Sequence, residues 1–171
     1  MGQALRRRLD RILESILVIL MSGMVLNVLW QITTRYLLGD PSSVTEEIAR
    51  FGLIWLGMLG ASYGFGRKVH LSVGLVDEFL GSRIEEDHPL RIGLEIVSLG
   101  CVGIFAALIL VVGGFNLVSL SLEVNQVSAA LGIPLGAVYS VLPISGAIVL
   151  FYSGLQAIEL SGRRRAWGGE G

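Results

Sequence analysis

Apolar residues along the chain fall into four nearly unbroken runs rather than into an amphipathic stripe: Ile12 to Thr34, Ile48 to Gly66, Ile92 to Leu122 and Ile133 to Ile158. A helical rise of about 1.5 Å per residue lets even the shortest run cover a hydrocarbon core of about 30 Å. In lipid the backbone must satisfy its own hydrogen bonds, and no strand-like alternation of apolar and polar residues is present. The runs therefore predict an all-α membrane protein, a single domain over residues 1–171 with transmembrane helices at 12–34, 48–66, 92–122 and 133–158. The third run is long enough to tilt or to project beyond the bilayer.

The connections carry different signals. "RYLLGDPSSV" holds the Gly, Asp, Pro and Ser of a tight turn, and Ser43 followed by Glu46 fits a capping box opening the second helix. Arg50 stands four residues after Glu46 and three after Glu47, on a shared helical face, so it can neutralise either carboxylate. In the middle connection Leu71, Leu75, Val76, Phe79 and Leu80 have the spacing of a short amphipathic helix, while the alternation Val69, Leu71, Val73, Leu75 also fits an extended stretch. No internal repeat or low-complexity segment interrupts the pattern.

Composition agrees: 53% of the residues are hydrophobic and 16% charged, with a mean hydropathy of +0.70. The distribution of cations says more than the net charge of −1. Eleven of the thirteen lie before the first run, between the second and third, or after the fourth; only Arg35 and Arg50 fall in the first connection, and the third has none. The positive-inside rule then predicts cytoplasmic termini, a cytoplasmic middle loop and outward-facing first and third connections. The first run exceeds a signal-peptide core and no small-residue cleavage site follows it, which fits an uncleaved signal anchor. Cys101, the single cysteine, excludes an intrachain disulfide.

Candidate chemistry is sparse. The helix midpoints, near Gly23, Gly57, Phe105 and Gly146, carry no charge, whereas membrane carriers usually place ionisable groups there. Glu95, about a turn into the third helix, either caps that helix or pairs with Arg91. His70 and His88 both lie in the middle connection, so no helix offers an axial haem ligand, and no spacing suggests a Ser, His and Asp set. Gly57, Gly60, Ala61 and Gly64 form overlapping small-xxx-small pairs, suited to internal packing or to a partner interface. Pro143 is expected to kink the fourth helix. Asn116, Asn125 and Gln126 offer polar groups near the outer surface, and Trp30, Tyr36 and Trp55 occupy the places of an aromatic belt.

"RYLLGDPSSVTEEIARFGLIWLGMLGASYGFGRKVHLSV" resembles the signature of the small membrane subunit, the DctQ-like or Q component, of tripartite ATP-independent periplasmic (TRAP) transporters. Arg35 with Tyr36, then Glu46, Glu47 and Arg50, then Lys68 and His70, stand where that family places an Arg-aromatic pair, an acidic pair with an Arg, and a basic residue with a His. "SAALGIPLGAVYSVLPISG", through Pro134, Tyr139 and Pro143, is similar to the approach to the family's fourth helix. Val44 departs from the pattern, since an aromatic residue is expected before the acidic pair.

The resemblance implies a non-enzymatic subunit of the bacterial inner membrane that belongs to a sodium-coupled uptake system for organic acids. Its partners would be a large membrane permease subunit, a periplasmic substrate-binding protein and the lipid bilayer, with no nucleic acid. It would bind no cofactor itself, sodium being expected on the large subunit. It would brace the scaffold of that subunit and help dock the binding protein. A small homo-oligomeric exporter or channel, or a membrane anchor for a redox enzyme, would call for midplane acids or helix histidines respectively.

Overall fold

The four apolar runs fold as four long helical spans in the computed structural model, which describes residues 2–39, 42–67 and 89–167; the side chains of residues 2, 3, 89–92, 94 and 162–167 lie outside that description. The first span is α1 (Gly2–Thr33) continued by a π-helical turn over Thr34–Leu38. It stops at Gly39, whose φ of 68° is the left-handed conformation that ends a helix without a side-chain clash. The second span is α2 (Ser43–Arg67). The third combines α3 (Pro89–Phe105), a π-helical stretch over Ala106–Gly113 and α4 (Gly114–Glu123). The fourth consists of α5 (Leu135–Tyr139) and α6 (Val141–Trp167).

Segments Ala4–Leu38, Ser43–Arg67, Glu95–Glu123 and Leu135–Ser161 are long and apolar enough to cross a bilayer. Most helices run past the apolar stretches that predict them, because the flanking arginine-bearing turns remain helical. The predicted amphipathic segment of the middle connection, with Lys68 and His70, lies outside the described residues.

Packing centres on the first, second and fourth spans. Leu13, Leu59, Val141 and Tyr152 are buried together, with Leu17, Ile54, Trp55, Met58 and Phe151 partly buried against them. Trp55 therefore belongs to this cluster rather than to the aromatic belt, whereas Trp30 and Tyr36 are exposed. The Ser62 hydroxyl donates to Met58 O at 2.8 Å and lies 3.3 Å from Ser145 O, joining the second and fourth spans at a fully buried point. The many exposed Leu, Ile and Val side chains of the first and third spans suit lipid, which removes the usual cost of exposing them to water.

Two sequence expectations take a definite form. Pro143 marks an interruption of the fourth span: the helix pauses at Ser140, three residues earlier, and Pro143 falls in the first turn of α6, where its missing N–H costs least. The backbone at Ser140 remains right-handed, at φ −58° and ψ −20°, so the interruption lasts one residue. Among the described residues the small-residue stripe makes no close approach to another span. A Cβ on Gly57 or Gly64 would meet nothing within 4 Å, and on Gly60 only Leu17 Cδ2 at 3.9 Å, while Ala61 is exposed. The close approaches lie elsewhere: a Cβ on Gly66 would come 2.5 Å from the Tyr152 ring, and one on Gly146 2.7 Å from Leu110 Cβ in the π-helical stretch.

Candidate functional site

With the chain termini at one end of the bundle, the opposite end gathers the first connection, the third connection and the start of α2. Here α2 opens with Ser42 O accepting the Glu46 N–H at 3.4 Å and the Thr45 hydroxyl at 2.9 Å. Ser43 is thus the first helical residue rather than the N-cap that a capping box with Glu46 requires. Asn27 of α1 donates through Nδ2 to Thr45 O at 2.8 Å, tying the first span to the opening of the second.

The third connection folds back on itself. Ser128 and Ile133 pair through Ser128 N–H to Ile133 O at 2.9 Å, and Leu135 N–H bonds Gln126 O at 2.9 Å. Between them a single helical turn closes through Gly132 N–H to Ser128 O at 3.1 Å, with Gly132 at φ 65°. Such a turn leaves the N–H groups of Ala129, Ala130 and Leu131 without partners of its own. Glu47 supplies them: Oε1 accepts from Ala129 at 3.0 Å, and Oε2 from Ala130 at 3.0 Å and Leu131 at 2.8 Å. The Ser128 hydroxyl interacts with the same carboxylate. A carboxylate from α2 therefore caps a helical turn more than 80 residues away with charge-assisted bonds.

This arrangement splits the predicted cluster. Arg50 does not hold both carboxylates; it pairs with Glu46 alone, at 3.4 Å, with both side chains 66% exposed. Pro134 is the residue preceding α5 and pairs with Val127 in an isolated bridge, so it shapes the clamped turn. Tyr139 ends α5 half-buried, and Arg35 is exposed in the π-helical turn, apart from Glu47 and its partners. Asn125 adopts φ 49° in the turn after α4, and the Gln126 side chain accepts from Ser121, so these polar residues serve the turn itself.

The terminal end holds a second set of ties that sequence reasoning missed. Arg6 Nη2 donates to Gly66 O at 2.7 Å, placing a cation at the negative end of α2. Arg67 lies 3.5 Å from Glu14 and stacks over the Tyr63 ring at 5.0 Å from its centroid. The Tyr152 hydroxyl donates to Asp10 Oδ1. The only advance signal was Asp10 itself, an acid within the cationic "RRRLDR", spaced four residues from Arg6.

Residues 24–163 match the family described as "Tripartite ATP-independent periplasmic transporters, DctQ component". The chain is 30% identical over 147 residues to the sialic acid TRAP transporter small permease protein SiaQ of Vibrio cholerae, an alignment covering 80% of this chain and 79% of that protein. It is 26% identical over 152 residues, 87% of each chain, to a protein of Haemophilus influenzae provisionally named as a TRAP transporter small permease protein. Neither relative favours an exporter or a redox anchor.

Proposed function

Because this chain belongs to the DctQ component family of tripartite ATP-independent periplasmic transporters, and is a multi-pass small permease subunit of that class, we propose that its work is to brace. It enlarges the fixed scaffold of a large membrane subunit, which binds sodium and substrate, and presents its first and third connections to a periplasmic substrate-binding protein. The cargo is an organic acid, in keeping with the sialic acid named for the Vibrio relative. The observation that supports a brace best is the hydrogen bonding of Glu47 to Ala129, Ala130 and Leu131, which stiffens the end of the bundle that would face the binding protein. The ties among Arg6, Gly66, Asp10 and Tyr152 do the same at the other end.

Reconstitution tests the reading. The subunit alone in vesicles accumulates no organic acid under an inward sodium gradient; adding the large subunit and the binding protein establishes uptake. Sodium-driven accumulation by the lone subunit would overturn the auxiliary role.

Both termini are cytoplasmic in this reading, supported by the cation bias of eleven to two. A phosphatase fusion in the connection near residue 41 is expected to be active, and one after residue 171 inactive. Activity in both would contradict the orientation.

A further inference from the structure

The terminal end of α1 divides its charges between two faces. Arg6 and Asp10 face the bundle with Leu13 and Leu17, where Arg6 donates to Gly66 O and Asp10 accepts from Tyr152. A rotation of about 100° per residue puts Arg8 and Arg11 on the opposite face, together with Ile12, Ser15 and Ile19. All five of these residues are exposed, Ile12 by 57% and Ile19 by 71%.

The acids of α1 that could neutralise Arg8 and Arg11 are committed elsewhere. Asp10 is bonded to Tyr152, and Glu14 lies 3.5 Å from Arg67. Neither Arg8 nor Arg11 has a side-chain hydrogen bond or ion pair among the described residues. Their face then continues into the apolar run through Ile12, Ile16 and Ile19, for about 10 Å at the helical rise. The Ser15 hydroxyl does not interrupt it, being turned back onto Arg11 O at 2.9 Å.

In a bilayer the isoleucines meet acyl chains whatever the lipid, so the arginines decide the headgroup. A zwitterionic headgroup brings its own cation and leaves the two guanidinium charges uncancelled, whereas an anionic phosphodiester cancels charge and offers oxygens. Two guanidinium forks one helical turn apart suit such oxygens bidentately. A second copy of this chain meeting the same face would set Arg8 and Arg11 against their own duplicates. We propose that Arg8 and Arg11 hold the phosphate of an anionic phospholipid in the leaflet at the terminal end of the bundle, with its acyl chains along Ile12, Ile16 and Ile19. The lipid secures the outward face of α1 while Arg6 and Asp10 fix the inward one, and the site is independent of the bracing role.

Native mass spectrometry of the full chain, released from detergent micelles holding equal amounts of phosphatidylglycerol and phosphatidylcholine, reads the preference. The parent is expected to retain phosphatidylglycerol at least about fivefold over phosphatidylcholine. Arg8→Gln combined with Arg11→Gln should bring the ratio to about one, and Arg8→Lys combined with Arg11→Lys, which keeps the charge without the fork, should fall between. Should the double glutamine variant fail to fold, Arg8→Gln alone is expected to lower the ratio at least about twofold. Glycerol phosphate, which has the phosphate but no chains, should not displace the lipid. Equal retention of both lipids by the parent, a ratio that survives loss of the arginines, or displacement by glycerol phosphate would overturn the proposal. Release of the lipid on assembly with the large subunit would overturn it too, by making the face a protein interface. A ratio raised about tenfold by Glu85→Gln, Glu86→Gln and Asp87→Asn together would assign the arginines to the acids of the middle connection instead.

Discussion

Glu47→Ala is expected to abolish docking-dependent uptake while leaving the chain in the membrane. The substitution strips three backbone donors of their shared acceptor, and no other described carboxylate is hydrogen-bonded to that turn. The turn at residues 128–132 then lacks the cap that an isolated helical turn requires, since one internal hydrogen bond does not hold it. Amide exchange at Ala129, Ala130 and Leu131 should accelerate by about tenfold or more, with little change in the helical core. Glu47→Gln keeps one accepting oxygen without the charge and should fall between the two. Arg50→Ala provides the contrast: its pair with Glu46 is exposed, and such pairs contribute about 0–1 kcal/mol. Should Arg50→Ala impair uptake as strongly as Glu47→Ala, with exchange at the turn unchanged, the exposed pair would have a role beyond stabilisation.

Tyr152→Ala should produce the largest loss of stability in the bundle. Tyr152 is 1% exposed, fills the space above Gly66 and packs in the cluster with Leu13, Leu59 and Val141. Truncating a buried aromatic ring costs about 3–5 kcal/mol in water-soluble cores. In lipid the water-exclusion share is absent and dispersion contacts dominate, which places the expected loss near the lower bound. Tyr152→Phe keeps the ring and removes only the bond to Asp10, for about 1 kcal/mol. Unfolding of the detergent-purified subunit, followed by circular dichroism, distinguishes them. Equal losses for both variants would mean that the hydroxyl, rather than the ring, holds the first and fourth spans together.

The spans were legible because lipid imposes a simple rule on a chain: a run long and apolar enough must become a helix, whatever its neighbours do. Four such runs, the turn signals between the first two, and the pattern from Arg35 to Arg50 therefore appear in the sequence without reference to any contact. Partner choice within the outer cluster was not legible. Helical spacing placed Arg50 near both acids, but an exposed salt bridge is weak, and three unpaired N–H groups arriving from the third connection compete successfully for Glu47.

Helix packing was similarly ambiguous, because a glycine permits close approach without requiring it. Gly57, Gly60 and Gly64 have the expected spacing and no tight internal contact, whereas Gly66 meets Tyr152 and Gly146 meets Leu110 because the rotations of their helices face them that way. The tie between Asp10 and Tyr152, separated by 142 positions, depends on the same rotations. Sequence by itself determined which segments lie in the bilayer and how many there are, since each span's hydrogen bonds are local. Only the tertiary structure decided which faces meet and which carboxylate caps the distant turn, because those outcomes depend on competition between groups that chain order does not bring together.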